Sequence, residues 1–169
     1  KKLDFSQVKV VLMGKSLTKK DIFSPLDWFV RFSGIQQIAY MGLADPKASE
    51  ILSTEFEAEN YAGEALINSL SGDVVFSSYL RPELLFDFYA RLNEKGLDPY
   101  LPVIQVIQKK IDIDHIALFD KKKLKLILEP KETQIYNILV NKLDRSSILT
   151  IGESLPKSLV VYSNSAKYS

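Results

Sequence analysis

Two overlapping segments near the start of the chain contain residue types that could bind phosphate or act as a nucleophile. Gly14-Lys15-Ser16 follows an apolar run, which is the setting of a phosphate-binding loop. The full pattern requires a glycine five residues before Gly14, and the chain has Lys9 at that position. Ser16 and Lys19 match the S-x-x-K spacing of penicillin-recognising enzymes, but the chain has no S-D-N or K-T-G element. A small stand-alone hydrolase or nucleotide-binding enzyme that uses Ser16, Lys19 or Lys15 is therefore the alternative hypothesis.

The single histidine, His115, is the only imidazole available as a general base, and the chain has no cysteine. Strand alternation places Asp112 and His115 on opposite faces, so the local sequence does not encode a His–Asp dyad. We interpret His115 as a partly buried residue with a local hydrogen bond. Without cysteine there is no disulfide, thiolate nucleophile, iron–sulfur cluster or zinc–thiolate site. We expect no metal and no cofactor.

The charge pattern favours a protein partner or an anionic membrane surface over a nucleic acid. Lys and Arg number 22 against 21 Asp and Glu, a net charge of +1, whereas nucleic-acid binding usually needs a strongly basic face. A lysine cluster stands at the predicted tip of a hairpin, where it could contact such a partner. Its members are Lys121, Lys122, Lys123 and Lys125.

The elements of the first half predict a βαβ-like start. Residues 8–13 and 37–43 are rich in β-branched and apolar residues, which is typical of strands. Between them, Ser24 and Pro25 predict the N-cap and first position of a helix, with Trp28 and Phe32 on its apolar face. Strand, helix and strand in this order indicate a parallel pair.

The second half reads as strand-rich. Residues 82–95 predict a helix, and 101–108, 111–119 and 124–128 predict strands, the last two joined in an antiparallel hairpin. A helix over 130–141, with Ile135, Ile138, Leu139 and Lys142 on one stripe, precedes strands at 147–151 and 158–162. The fold class is therefore α+β, a mixed sheet with flanking helices. We predict an α/β subdomain over 1–97 and a strand-rich subdomain over 98–169, within what could also be one continuous domain.

The order of several short motifs resembles that of GerAC-type spore germination lipoproteins, the C subunits of nutrient germinant receptors. Residues 99–104 and 113–124, followed by Leu128 and 131–133, are similar to the family block "P-x-L-P … A-x-F-x-x-x-K-L … L-x-x-x-E-T". Residues 26–31 resemble its "L-D-x-x-x-R" helix, and 47–52 its "K-A-x-E-I-L" segment. The chain departs from the family where His115, Leu126 and Asp21 replace glycines.

The resemblance implies the N-terminal part of a non-enzymatic lipoprotein subunit with no catalytic residues. Such subunits are anchored by a lipid-bearing cysteine to the outer face of the spore inner membrane, and that cysteine would precede Lys1. They act with integral membrane subunits of the receptor, which makes those subunits the expected partners. The chain itself has no spanning run and is expected to be a soluble fragment. Arg31, at the family's Arg position, is a weaker contact candidate than the lysines, with a helix-face ion pair as the competing interpretation.

Overall fold

The computed structural model describes residues 4–32, 34–71, 79–96 and 98–140, and the backbone of 146–151 and 156–161. The first half of the chain alternates strands with helices. Its elements are β1 (Val10–Gly14), α1 (Lys15–Thr18), α2 (Phe23–Arg31), β2 (Tyr40–Ala44), α3 (Ala48–Leu52), α4 (Ala62–Leu70), β3 (Glu83–Leu84) and α5 (Leu85–Asn93). The second half is richer in strands. Its elements are β4 (Tyr100–Ile107), β5 (Lys110–Asp120), β6 (Lys123–Leu128), α6 (Pro130–Leu139), β7 (Ser146–Ile151) and β8 (Pro156–Val161).

A six-stranded mixed sheet forms the centre of the described chain, in the order β1-β2-β4-β5-β6, with β3 paired to β2. The β1–β2 and β2–β4 pairs are parallel, whereas β4–β5 and β5–β6 are antiparallel. The α+β prediction, its parallel start and its antiparallel hairpin are therefore confirmed. β7 and β8 form a separate antiparallel pair. The sheet takes strands from both sides of the boundary predicted at residues 97 and 98, and the two-subdomain division stays a prediction.

Helices cover both faces of the sheet because alternate strand residues point to opposite sides. Val11 and Met13 of β1 join the larger core, which includes Leu26 of α2 and Phe88 of α5. The neighbouring residues of β1 pack against the smaller core, which is built on α3 and α4. This smaller core consists of Ala44, Ile51, Leu66, Leu70 and Ile104.

The sheet is closely packed at Gly42 on the inner strand β2, which lies between β1 and β4. A methyl group at Gly42 would lie 3.0 Å from Cγ1 of Ile104, closer still to its Cδ1, and 3.6 Å from Cδ2 of Leu12. Ile104 is fully buried and β-branched, so its side chain has little freedom to move away. Glycine is favoured here by the close approach of the Ile104 side chain.

Two helices differ from their predicted form. Helix α2 begins at Phe23, and the side chain of Asp21 accepts a hydrogen bond from the Phe23 N–H at 2.8 Å. The predicted N-cap at Ser24 is therefore wrong. Pro25 does not mark the first helical residue, because proline is tolerated throughout the first turn, where backbone N–H groups have no intrahelical partner. The predicted apolar stripe of α6 is also wrong. That helix buries Thr133 and Asn137 and leaves Ile135 and Leu139 58% and 47% exposed, and Lys142 lies outside the described residues.

Candidate functional site

The lysine cluster lies on a two-residue turn between β5 and β6. Asp120 pairs with Lys123, so Lys121 and Lys122 form the loop, and Lys121 has the left-handed φ of 54° that tight hairpin turns need. Lys121, Lys123 and Lys125 are exposed, and Lys122 is half-buried. Lys125 lies 4.0 Å from Asp120, at the limit of an ion pair. The turn therefore presents three lysines to solvent.

The fourth lysine holds this turn against the start of α2. The backbone N–H of Ile22 donates to the carbonyl oxygen of Lys122 at 3.1 Å. The ammonium of Lys122 lies 4.0 Å from the ring centroid of Phe23, a cation–π contact. Because both contacts involve one residue of the loop, the other three lysines project from a turn of fixed position.

Arg31 lies at the other end of α2, about 12 Å along the helix from Phe23. Its Nε lies 2.9 and 2.8 Å from the two carboxylate oxygens of Asp27, and the Tyr89 hydroxyl donates to the same carboxylate at 2.7 Å. These hydrogen bonds, Tyr89 first and Arg31 second, lower the pKa of Asp27. The helix-face ion pair of the competing interpretation is therefore present, between Arg31 and Asp27. The side chain is still 74% exposed, and its contact role stays a prediction.

Aromatic side chains also lie exposed on α2, contrary to the apolar face that the sequence predicts for them. The rings of Trp28 and Phe32 stack at 5.0 Å, and these residues are 52% and 37% exposed. Trp28 is two residues from the buried Leu26, which places the two on roughly opposite sides of a helix. That spacing could have revealed the exposed position. We call Lys121, Lys122, Lys123, Lys125, Trp28, Arg31 and Phe32 together the α2–hairpin surface.

A buried charge network, which no sequence motif indicated, lies between β3, α5 and β4. The Arg91 Nε donates to Oε1 of Glu83 at 2.8 Å, and Glu83 is 3% exposed. Burial raises the pKa of Glu83, although Tyr100 and the two arginines oppose this shift. Arg81 is 6% exposed and lies 3.7 Å from the centroid of the Tyr100 ring. Within the described part of the chain, its Nε and Nη1 have no hydrogen-bond partner.

Comparison with known proteins identifies the family. The model of the spore germination protein N-terminal domain matches residues 1–106. The chain belongs to this family. The resemblance seen in the sequence is therefore confirmed.

Relatives of this spore germination domain are longer proteins. The chain is 21% identical over 140 residues to the spore germination protein GerQC of Bacillus cereus, covering 82% of the chain and 38% of GerQC. It is 26% identical over 148 residues to the putative spore germination protein YfkR of Bacillus subtilis strain 168, covering 83% of the chain and 37% of YfkR. The crystal structure of the GerBC protein has the same fold, with a TM-score of 0.68 at 15% identity, over 91% of the chain and 44% of GerBC. The chain thus spans less than half the length of each.

The residues of the alternative enzyme hypothesis are paired or exposed in the described part of this spore germination domain. Lys15 forms an ion pair with Asp45, with 2.8 Å between Nζ and Oδ2. Ser16 and Lys19 are exposed, and α1 is only four residues long. Two cavities between described residues, one beside Lys109 and Lys110 and one beside β1, are lined by other side chains. With its ammonium paired to Asp45, Lys15 is not free to hold a phosphate.

His115 of the domain is partly buried and contacts two carboxylates. Its Nδ1 is hydrogen-bonded to the adjacent Asp114, and its Nε2 lies 3.4 Å from Oε2 of Glu129. The prediction that Asp112 and His115 lie on opposite faces is wrong, because the β4–β5 register shifts and pairs these two residues with Gln105 and Val103, which are two apart on β4. Glu129 is the exposed N-cap of α6, so the contacts of His115 join β5 to that helix.

Metal-binding clusters and membrane-spanning helices are both absent from the part of the chain that the structure describes. Among the described residues, no group of three or more His, Asp or Glu side chains is arranged to hold a metal ion. None of the helices in the described ranges has the length and apolar character needed to cross a bilayer.

Proposed function

We propose that this domain works in a non-enzymatic, lipid-anchored subunit of a spore nutrient-germinant receptor, at the outer face of the spore inner membrane. The observation that carries the proposal is the match of the spore germination domain model to residues 1–106. The germination proteins GerQC and YfkR support it over more than four fifths of the chain. These proteins are more than twice as long as this chain. The lipid anchor and the membrane-embedded partner subunits are therefore proposed for the whole protein.

The α2–hairpin surface is the proposed contact with those membrane-embedded subunits. Its lysines stand on a hairpin end that is fixed against α2, so little backbone freedom is lost when a partner binds them. Trp28 and Arg31 are of the residue types that most often dominate binding energy at interfaces. The positive charges would accelerate association with an acidic partner face and make it sensitive to salt.

The alternative of a hydrolase or nucleotide-binding enzyme is not favoured. It requires Lys15 or Lys19 to face a reacting group beside Ser16. Lys15 is instead paired to Asp45, and the other two side chains are exposed and line neither of the two cavities described above.

The contact proposal is tested by charge reversal in spores whose receptor contains this chain. Changing Lys121, Lys122, Lys123 and Lys125 together to Glu should slow nutrient-triggered germination, followed as loss of optical density, and reduce co-purification of the membrane subunits. The matched control reverses four exposed lysines away from the surface, which should leave both readouts unchanged. These are Lys47, Lys95, Lys110 and Lys131.

The amount of the reversed protein in spores distinguishes a lost contact from a folding defect. The reversed protein should accumulate in spores at the parental level, since three of the lysines are exposed and the cation–π contact of the half-buried Lys122 with Phe23 is worth only about 0.5–1 kcal/mol. Normal germination and normal co-purification of the reversed protein would refute the proposed contact.

A further inference from the structure

The unpaired edge strand β1 borders an apolar groove on the side of the sheet opposite the lysine hairpin. In the described sheet β1 has one neighbour, β2, whereas β6 forms the other edge. The Tyr40 N–H donates to the carbonyl oxygen of Lys9 at 2.8 Å, so Lys9 directs its backbone groups toward β2. Backbone direction alternates along a strand, and Val10 and Leu12 therefore direct their N–H and C=O groups to the open edge.

This edge lacks the features that usually keep edge strands from pairing. Charged side chains, proline and bulges block addition of another strand. The opposite edge has two of these, because β6 contains Lys123 and Lys125 and its pairing with β5 has a register shift. By contrast, the Val10–Gly14 strand has no charge and no proline, and its register with β2 is continuous.

A cavity of about 320 Å³ lies between β1 and the helices α3 and α4. Its walls include Val10, Leu12, Leu52, Leu66 and Ile67. Leu52 is 56% exposed at this cavity. When a peptide adds to a sheet edge, main-chain hydrogen bonds supply affinity and a pocket for alternate side chains supplies specificity. The open edge of β1 and the aliphatic cavity beside it provide both.

The charges beside β1 indicate what kind of strand fits. Lys9 is exposed at one end of the strand, where its ammonium donates to Oε1 of Gln36 at 3.1 Å, whereas Lys15 beyond the other end is already paired to Asp45. A second copy of β1, paired antiparallel about its central Leu12, would bring Lys15 and no carboxylate opposite Lys9. A strand with a carboxylate opposite Lys9 would meet that exposed ammonium with opposite charge.

We propose that the β1 edge binds an extended peptide segment of a partner protein by strand addition, with alternate aliphatic side chains in the α3–α4 cavity and an acidic residue opposite Lys9. The segment extends the sheet beyond β1. This site is separate from the α2–hairpin surface, and the proposal does not depend on the proposed receptor role.

The probe is a fluorescent peptide, Glu-Val-Thr-Val-Thr-Val-Glu, whose binding to the chain is measured by anisotropy. Its valines fall opposite Val10, Leu12 and Gly14, beside the cavity, and one of its two glutamates falls opposite Lys9. A version N-methylated at its five inner residues keeps every side chain and loses the main-chain donors. A version with lysine at both ends keeps the backbone and reverses the charge. The first peptide should bind at least about tenfold more tightly than either control, given the value of several main-chain hydrogen bonds.

Variants of the chain test the same site. A side chain at Gly63 would enter open space, since a Cβ there meets no atom within 4 Å. Gly63→Trp should therefore fill the groove without disturbing the fold and weaken peptide binding roughly tenfold, about the value of burying one aliphatic side chain. Leu52→Glu should do the same, and its matched control is Leu126→Glu on the opposite edge, where Leu126 is 43% exposed. Lys9→Glu should reduce the preference for the acidic peptide over the lysine-ended one.

Three results would overturn the proposal. One is equal binding of the N-methylated peptide, which would mean that the cavity accepts apolar groups without strand pairing. Another is unchanged binding by Gly63→Trp and Leu52→Glu in chains with parental circular dichroism. The third is a dimer in sedimentation experiments that Leu52→Glu dissociates, because the occupant would then be a second copy of the chain.

Discussion

Replacing Gly42 by Ala tests the packing at the inner strand β2. The new methyl group would lie 3.0 Å from Cγ1 of Ile104 and nearer to its Cδ1, which is closer than side chains approach without moving. Ile104 belongs to a fully buried cluster, so the strain must be taken up by the core. We expect Gly42→Ala to lower the free energy of unfolding by about 1–3 kcal/mol, the usual effect of overpacking.

A double-mutant cycle shows whether Ile104 is the group that clashes. Ile104→Val removes Cδ1 and should by itself lower the free energy of unfolding by about 0.5–1.5 kcal/mol. Combined with Gly42→Ala, it should lower stability by about 1 kcal/mol less than the sum of the two single effects. The matched control is Gly63→Ala, where the new methyl meets no atom within 4 Å and should raise stability by about 0.5–1 kcal/mol.

Urea unfolding followed by circular dichroism gives all four values on one scale. Gly42→Ala at parental stability would refute the close approach of β2 and β4. Strictly additive single effects would show that the strain is relieved against a residue other than Ile104.

Three further predictions concern pairs of polar groups. Asp27→Asn should lower the free energy of unfolding at neutral pH, where the Asp27 carboxylate is ionised. The difference from the parent should shrink as the pH falls below 3.8 through the lowered pKa of Asp27, because a depressed carboxyl pKa stabilises the folded state only while the group is ionised. A pH-independent difference in urea midpoint would contradict this. Arg81→Met should change the free energy of unfolding by less than about 1 kcal/mol, because the Arg81 Nε and Nη1 have no hydrogen-bond partner among the described residues. Arg91→Met should lower it by about 3 kcal/mol, because the buried Glu83 loses its partner at 2.8 Å. Equal losses in thermal unfolding would count against the network. Glu132→Ala should lower stability by about 0.5–1 kcal/mol, because the Glu129 N–H donates to its side chain at 2.9 Å in a capping box; a variant as stable as the parent in urea would exclude that cap.

The strands and the hairpin could be predicted because their cues are local. Apolar and β-branched runs marked β1, β2, β4, β5 and β6, and four consecutive polar residues at 120–123 marked the turn. The family resemblance likewise rested on residues in sequence order. The position of the lysine cluster on a tight turn followed from the same local signals.

Features that depend on distant contacts could not be predicted in this way. Helix α6 buries Asn137 because its side chain donates to the Tyr79 carbonyl at 3.2 Å, 58 residues away in the chain. Thr133 is buried on the same face and donates to the Leu128 carbonyl at 3.3 Å. Polar residues satisfied in this way can occupy a buried face that a hydrophobic pattern assigns to Ile135 or Leu139. The Arg81 network is of the same kind, since its members are brought together only by the fold.

The parallel pairing of β2 with β4 also has a consequence for synthesis of the protein. Leu43 pairs with Val103, sixty residues later in the chain. At about 5–20 residues per second, a ribosome needs roughly 3–12 s to add those residues. During that interval the apolar strand β2, whose residues Met41 to Ala44 are all buried in the finished fold, has no β4 to pair with. Chaperone capture of the nascent chain should therefore be strongest in this window and end as β4 leaves the ribosome.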